Sequence, residues 1–240
     1  MNLVQLLGFS EQGWGAALLQ AAGMTLVLTA AALLVGAVFG GLVAAAKLSK
    51  RRMLRWVGEL YSILFRGIPE LLIIYLFYFG GGTMVSAVAS LFGGSGYVDL
   101  PPFAIGALAV GLISGSYQAE VYRGAYKAVP VGELEAAAAI GMSPGQRLRH
   151  VLIPQVMRYA LPGLGNVWQM TLKDSALISV IGLVELMRAS QVAAGSTRQY
   201  FTFYIVGGIG YLLLTWGSSR VFSRAEARVR RTQRANFLSP

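Results

Sequence analysis

Long apolar runs separated by short charged segments are the dominant pattern of this chain. A helix that spans a bilayer needs about 20 consecutive apolar residues, and five runs approach or exceed that length. The predicted spans are 14–46, 57–79, 101–122, 161–183 and 200–221. The first run is longer than one crossing requires, which predicts a tilted span with an interfacial lead-in. The pattern therefore predicts an all-α integral membrane protein with about five transmembrane helices.

Positively charged residues predict how these spans are oriented. Most of the 20 Lys and Arg residues fall in the loop that begins at Lys47, between the third and fourth spans, and in the tail from Arg220 to Arg234. The loops on the opposite side contain only Arg188 and Arg198. Because Lys and Arg concentrate on the cytoplasmic side, we predict an outside N-terminus and a cytoplasmic C-terminus. The basic tail is predicted to lie against anionic lipid headgroups.

The composition fits a membrane protein. Hydrophobic residues make up 55% of the chain and charged residues 12%, with a mean hydropathy of +0.60, whereas an ordinary soluble domain carries about 25% charged residues. Many of the 30 glycines, such as Gly36, Gly40 and Gly41, are predicted to allow close helix packing. No composition shift or convincing repeat divides the chain, so residues 1–240 are predicted to form a single domain.

Residue usage also narrows the chemistry. With no Cys and one His, neither a disulfide framework nor a transition-metal centre is expected. The net charge of +10 is divided among separate blocks and is not gathered on one face, so nucleic acid is not an expected partner. No G-x-x-x-x-G-K-[ST] motif occurs, and the chain is therefore not expected to bind ATP by that route.

The most specific pattern lies in residues 135–154 and begins with a short helix. Residues 135–140 are good helix formers. Gly141 follows at the place where a residue in the left-handed conformation often ends a helix, and glycine adopts that conformation most readily. We therefore predict that the first helix of this segment ends at Gly141.

A second short helix is predicted directly after this turn. Ser143 stands at an N-cap position, Pro144 at the first helical position and Gln146 three residues after the serine, which is the pattern of a capping box. Because proline usually interrupts a helix, this second helix is predicted to end at Pro154. The arrangement suits a socket on a partner protein, and the alternative is an ordinary helical hairpin between two spans.

The same segment resembles the EAA loop of the membrane subunits of bacterial ABC importers. The resemblance rests on Glu-Ala-Ala at 135–137, a glycine six residues after the glutamate, and a branched aliphatic pair before Pro154. Val151 and Ile153 stand where the family more often has Ile and Leu. Other pieces resemble permeases of the polar amino-acid importers: G-M-T-L-V-L at 23–28, A-K-L-S at 46–49, R-G-I-P at 66–69, A-E-V-Y-R-G at 119–124, V-P-V-G-E-L-E-A-A at 129–137 and L-P-G-L-G-N-V-W-Q-M-T-L-K-D-S-A-L-I-S-V-I-G-L at 161–183.

Within that family the chain looks most like the Q-type subunits that serve histidine, lysine, arginine and ornithine, or the opines octopine and nopaline. G-I-P-E-L-L-I-I at 67–74 and A-G-S-T-R-Q at 194–199 carry this closer resemblance. It implies the type I importer permease fold, a place in the bacterial inner membrane with a periplasmic N-terminus, and import of polar, basic amino acids or opines. Permeases for neutral or acidic amino acids, such as glutamine or glutamate, are the alternative.

The resemblance also implies partners. Such permeases pair with a second homologous permease or a second copy of themselves, sit on a dimer of ATPase subunits, and receive substrate from a periplasmic binding protein. ATP and Mg²⁺ are expected on the ATPase, and no cofactor is expected on this chain. The residues implied in coupling to the ATPase are Glu135, Ala136, Ala137, Gly141, Ser143, Pro144, Arg147 and Pro154.

Charged residues inside the predicted spans form the candidate substrate pathway. An ionisable side chain in an apolar span is costly and is by default a site hypothesis. Pro69 is predicted to interrupt the second helix, and interrupted helices line substrate cavities in transporters. N–H groups freed near Gly67 are expected to meet a substrate carboxylate, and Glu70 or Asp174 a substrate cation. The candidate pathway consists of Arg66, Gly67, Pro69, Glu70, Lys173, Asp174 and Ser175.

Mutual neutralisation is the alternative interpretation of these charges, with Arg66 paired to Glu70 and Lys173 paired to Asp174 or a neighbouring helix. For Arg66 and Lys173 we prefer ion pairing, because buried basic residues usually have a protein partner. For Glu70 we prefer a substrate contact, because relatives that carry cations often have an acid just after R-G-x-P.

Two further acids, Glu59 and Glu120, stand near the cytoplasmic ends of their spans and are predicted to pair with the nearby Arg55 or Arg123. Two other classes of function are weaker interpretations of the chain. An ion-coupled secondary carrier usually shows two related halves, and an integral membrane enzyme would need a nucleophile with a base or a metal cluster. Neither pattern is found, and no catalytic residue is assigned.

Overall fold

The structure is a computed structural model that describes residues 3–9, 13–91 and 100–238. Within these ranges all the regular secondary structure is helical, as predicted. The α-helices in chain order are α1 (Leu3–Leu6), α2 (Gly15–Leu48), α3 (Arg52–Gly67), α4 (Glu70–Leu91), α5 (Pro102–Ala128), α6 (Val131–Ala139), α7 (Pro144–Gln146), α8 (Ile153–Asp174), α9 (Leu186–Thr197) and α10 (Tyr200–Leu238). A π-helical turn at Arg147–Leu152 joins α7 to α8, and a 3-10 helix at Ser175–Ile181 follows α8.

Helix α5 is the centre of the fold, since α2, α3, α4 and α8 all pack against it. Its backbone approaches α2 closely at two glycine pairs. A Cβ atom added at Gly36 would lie 3.0 Å from the carbonyl oxygen of Gly111, and one added at Gly40 would lie 2.8 Å from that of Gly115. The predicted close packing is therefore confirmed at Gly36 and Gly40. It is wrong for Gly41, where nothing in the described chain lies within 4 Å of an added Cβ.

The second predicted span, 57–79, lies across two helices. Helix α3 ends at Gly67, Ile68 is extended with φ −92° and ψ 137°, and α4 begins at Glu70. Pro69 disfavours helical backbone at the residue before it and provides no N–H for a continuing helix. The predicted interruption at Pro69 is thus present in the structure.

A second interruption follows α8, and the sequence pattern did not predict it. The 3-10 helix ends at Gly182, whose φ of 92° lies in the left-handed region. Helix α9 then begins at a bend of 48° from the preceding segment. Glu185, fully buried, caps α9 by accepting hydrogen bonds from the N–H groups of Met187 at 2.9 Å and Arg188 at 2.7 Å. The Tyr211 hydroxyl donates a further hydrogen bond to the same carboxylate at 2.5 Å.

Four described helices are long and apolar enough to cross a membrane: Gly15–Leu48, Glu70–Ala87, Pro102–Ala128 and Tyr200–Val229. The bent pair formed by Pro144–Ile181 and Leu186–Thr197 makes a fifth if it crosses as one span. The predicted spans 14–46, 101–122 and 200–221 fall largely on three of these helices, whereas 57–79 is divided between α3 and α4, and 161–183 between α8 and the 3-10 helix.

Candidate functional site

The first half of the EAA loop is a helix closed by a left-handed glycine, as predicted. Helix α6 ends at Ala139, and Gly141 has a φ of 85°. The Met142 N–H donates to the Ala137 carbonyl at 3.1 Å, and the Gly141 N–H donates to the Ala138 carbonyl at 3.0 Å. This pair of bonds is the Schellman motif, which satisfies the last carbonyls of a helix only when the intervening residue is left-handed. Gly141 thus fixes the direction in which the chain leaves α6.

The second half begins with the predicted capping box. The Gln146 N–H donates to the Ser143 hydroxyl at 3.4 Å, and the Ser143 N–H donates to the Gln146 side-chain oxygen at 2.9 Å. Pro144 occupies the first helical turn, where its missing N–H has no consequence. The elbow is therefore held on both sides by local hydrogen bonds.

The prediction that the second helix ends at Pro154 is wrong. The π-helical turn continues directly into α8, and Pro154 lies in the first turn of that helix. A proline ring crowds the carbonyl four residues earlier in a regular α-helix. The wider π turn relaxes that crowding, and the helix runs on to Asp174. The elbow and α8 consequently form one continuous helical rod.

Most of the residues predicted to couple to an ATPase lie on the surface. Ala137 is the exception, with 5% of its surface exposed. Arg147 is half-buried, and its Nε has no hydrogen-bond partner among the described residues. Ile140 beside the elbow is 75% exposed. The residues in exposed positions are Glu135, Ala136, Gly141, Ser143, Pro144 and Pro154. An exposed apolar side chain is a feature that a docked partner would cover.

The interruption between α3 and α4 opens onto a cavity of about 500 Å³, which is lined in part by Arg66, Gly67, Pro69 and Glu70. Leu72 and Ile73 are the first residues of α4 whose N–H groups bond back to the Pro69 carbonyl. The N–H groups before them have no partner within the helix, as at any helix start. The cavity therefore combines a helix N-terminus with side chains of both charges.

The ion pair that we preferred for Arg66 is absent. In the described parts of the chain no carboxylate lies within 4.0 Å of its guanidinium, which instead stacks over the Tyr117 ring with 5.3 Å between the guanidinium carbon and the ring centroid. Tyr117 is also within electrostatic reach of Glu70 and Asp174. Three of the intramembrane charged side chains, those of Arg66, Glu70 and Asp174, thus gather around one tyrosine that the sequence pattern did not single out.

The other pathway residues fall less close together. Lys173 is exposed and makes no ion pair within 4.0 Å in the part of the chain that the structure covers, so its preferred pairing with Asp174 is also absent. Asp174 is half-buried. Ser175 is fully buried, and its hydroxyl donates to the Leu172 carbonyl at 2.7 Å. Ser175 therefore serves the end of α8 and does not reach the cavity.

A network of charged side chains joins α2, α3 and α5. Lys47, the last basic residue of α2, places its ammonium 3.1 Å from Glu59 and 2.5 Å from Glu120. Arg123 binds the second oxygen of Glu120 at 2.6 Å. The predicted pairing of Glu120 with Arg123 is confirmed, whereas Glu59 pairs with Lys47 and not with Arg55. Among the described residues no group of His, Asp and Glu side chains could hold a metal ion.

Comparison with known proteins decides the family. A family model for the inner membrane component of binding-protein-dependent transport systems matches residues 36–231. The chain belongs to this family. It is a permease subunit of an ABC importer in the inner membrane, and it is not an enzyme.

Individual relatives cover nearly the whole permease. It is 52% identical over 228 residues to an octopine transport system permease protein, OccQ, from Rhizobium meliloti, covering 95% of this chain and 96% of the relative. It is 53% identical over 222 residues to the nopaline permease protein NocQ from Agrobacterium fabrum, covering 92% and 94%. The histidine/lysine/arginine/ornithine permease protein HisQ from Escherichia coli is 39% identical over 216 residues, covering 90% and 94%.

Solved structures agree on the fold. A crystal structure of an amino acid ABC transporter with histidines matches with a TM-score of 0.74 at 32% identity, covering 90% of this chain and 95% of that one. An inward-facing MetNI methionine ABC transporter also matches with a TM-score of 0.74, covering 92% and 99%. Because its identity is 17%, it supports the fold alone. The predicted type I importer permease fold is therefore confirmed.

Proposed function

We propose that the permease carries basic amino acids or opines past the interruption between α3 and α4. Relatives that are 36–53% identical carry names for octopine, nopaline, arginine, or histidine, lysine, arginine and ornithine transport. All of these substrates present an amino-acid backbone with a carboxylate together with a basic nitrogen group. The pathway therefore needs both an anion-binding and a cation-binding element.

The position of Glu70 is the observation that carries this proposal. Glu70 is the first residue of α4, lines the cavity at the interruption, and has no cation within 4.0 Å among the described residues. Its nearest basic neighbour along the chain, Arg66, is engaged by Tyr117. An unpaired carboxylate in an apolar span is costly. A substrate guanidinium or ammonium would supply the missing charge, and the free N–H groups of α4 would receive the substrate carboxylate.

The wider assembly follows from the family. The permease would pair with a second homologous permease or a second copy, rest on two ATPase subunits, and accept substrate from a periplasmic binding protein. ATP and Mg²⁺ would bind the ATPase. The exposed elbow at Gly141 would sit in an ATPase socket, which requires it in the cytoplasm. The basic loop after Lys47 and the basic tail would then lie on the same side.

A charge-selective comparison tests the proposal. Arginine and citrulline have nearly the same shape, but only arginine carries a side-chain cation. Glu70→Gln should weaken arginine binding to the purified permease–ATPase complex, without binding protein, by about 10- to 100-fold, because a desolvated charged contact contributes about 1.5–3 kcal/mol. Citrulline binding should change little. The matched control is Glu226→Gln on α10, which makes the same charge change away from the cavity.

The ion-pairing alternative gives a different result. If Glu70 served mainly to neutralise Arg66, its loss would reduce assembly of the complex, and the double variant Arg66→Leu with Glu70→Leu would restore both assembly and arginine uptake. Rescue of arginine uptake by the double variant would refute a substrate contact at Glu70, as would an equal loss of arginine and citrulline binding in Glu70→Gln.

A further inference from the structure

A second cavity, of about 400 Å³, lies beside the one at the interruption. Arg66 and Gly67 line both cavities, so the two are neighbours along α3. The second cavity lies towards Lys47, at the end of α2 where the basic loop begins. The polar side chains that line it are Lys47, Glu59, Ser62, Arg66, Tyr117 and Glu120.

The acids in this cavity are not equivalent. Glu120 is held twice, by the Lys47 ammonium and by the Arg123 guanidinium. Among the described residues Glu59 pairs with Lys47 alone, at 3.1 Å, and 58% of its side chain is exposed. The Lys47 side chain is 1% exposed and keeps Glu120 if Glu59 turns away. Glu59 is therefore the carboxylate that another cation can engage without leaving a buried charge unpaired.

A buried hydroxyl gives a second indication of a ligand. Ser62 is 5% exposed, and its Oγ is buried without a hydrogen-bond partner among the described residues. Buried polar atoms in native structures are almost always satisfied by protein, water or a ligand. One helical turn away, the exposed Arg66 lines the same cavity, and no described carboxylate lies within 4.0 Å of its guanidinium. The walls thus offer a carboxylate and a guanidinium, and the unpaired Ser62 hydroxyl lies just behind the cavity surface.

We propose that this cavity is a second subsite for a basic amino acid, on the exit side of the first. The substrate carboxylate binds Arg66, the side-chain cation binds Glu59, and the Ser62 side chain rotates to hydrogen-bond the substrate. Because Arg66 borders both cavities, the substrate carboxylate moves from the N–H groups of α4 to the neighbouring Arg66 guanidinium as the substrate passes from Glu70 to Glu59. This inference rests on the proposed function, since it requires a substrate that carries a cation.

The test compares arginine and citrulline binding to the complete permease–ATPase complex in four forms: wild type, Glu59→Gln, Glu70→Gln and the double variant. Glu59→Gln alone should reduce the preference for arginine over citrulline by about 3- to 10-fold, less than a fully desolvated contact because Glu59 is partly exposed. Glu70→Gln should leave a residual preference for arginine, and the double variant should have none. Glu59→Asp, which keeps the charge, should retain most of the preference.

Ser62→Ala provides an independent measurement. The hydroxyl does not distinguish a cation from a neutral group, so arginine and citrulline binding should weaken equally, by about 3-fold. A purely structural role predicts no change, because the hydroxyl has no partner to lose. The thermal midpoint and elution profile of each complex should match those of wild type.

The outcomes separate this inference from the proposed function. If wild type does not prefer arginine to citrulline, both fail. If wild type shows the preference and Glu70→Gln reduces it, but Glu59→Gln has no effect in either background, only the second subsite is overturned. The second subsite is also overturned, with the proposed function intact, if Glu70→Gln alone removes the whole preference for arginine. It is likewise overturned if Ser62→Ala binds both compounds like wild type.

Discussion

Replacing Gly141 by valine tests the elbow of the EAA loop most directly. Gly141 has a φ of 85°, and nothing in the described chain lies within 4 Å of a Cβ built on it. The penalty therefore comes from the backbone and not from a clash within the chain. A non-glycine residue in the left-handed region costs about 1–2 kcal/mol, which changes the ratio of two loop conformations by about 5- to 30-fold. Because two hydrogen bonds close the turn, the relieved conformation must break at least one of them and re-aim α7.

The assay needs the whole transporter. With the ATPase, the second permease and the binding protein reconstituted in proteoliposomes, Gly141→Val should insert and assemble normally. Substrate-stimulated ATP hydrolysis and uptake should fall at least 10-fold. Gly141→Asn should retain most activity, since asparagine tolerates the left-handed region better than other non-glycine residues. Gly132→Val is the control, because Gly132 lies in α6 with open space around it and no positive φ.

Two results would contradict this reasoning. Normal uptake by Gly141→Val would remove the coupling role proposed for the elbow. Equal loss in the valine and asparagine variants would show that a side chain of any kind is excluded at this position, so that contact with the ATPase, and not the backbone conformation, explains the glycine.

Two further predictions concern stability and are measured by thermal unfolding of the detergent-solubilised complex. Gly40→Ala should destabilise the α2–α5 contact by about 1–3 kcal/mol, because the added Cβ overlaps a carbonyl oxygen. Gly41→Ala should be neutral or slightly stabilising, because alanine has the better helix propensity. Equal shifts of the thermal midpoint in the two variants would refute the packing argument. Glu185→Ala should destabilise the complex by about 3 kcal/mol or more, because it removes the α9 cap and leaves the Tyr211 hydroxyl without its acceptor. Tyr211→Phe should cost only about 1 kcal/mol. If Tyr211→Phe were more destabilising than Glu185→Ala, the role assigned to Glu185 would be refuted.

The elbow was predictable because its determinants are local. A glycine after a run of helix formers, and a serine followed three residues later by glutamine, form their hydrogen bonds within a few residues of one another. No tertiary contact is needed to select that conformation. The interruption at Pro69 belongs to the same class, because proline acts on its own backbone and on the residue before it.

The charged network could not be predicted in this way. Lys47 follows a long apolar run and resembles a loop residue, yet its partners Glu59 and Glu120 lie 12 and 73 positions further along the chain. Only the packing of α2, α3 and α5 brings them together. Tyr117 was missed for the same reason, since it becomes a site residue only when α3 places Arg66 over its ring. Non-local pairing of this kind leaves no periodic signal in the sequence.

The continuous helix through Pro154 bears on mechanism, because it connects the elbow to the end of α8, which the sequence pattern treated as separate. Helical structure continues from Pro144 through the π turn and α8 to Asp174, a length of about 45 Å at 1.5 Å per residue. The 3-10 helix directly beyond contributes Leu177 to the cavity at the interruption before α4. A displacement of the elbow by an ATPase would therefore act on the wall of the substrate cavity through one helical element, with no flexible loop between them. Two helical interruptions, between α3 and α4 and after the 3-10 helix, lie near that wall. The backbone groups there lack helical partners, so the helices can bend at these points and the displacement can change the shape of the cavity.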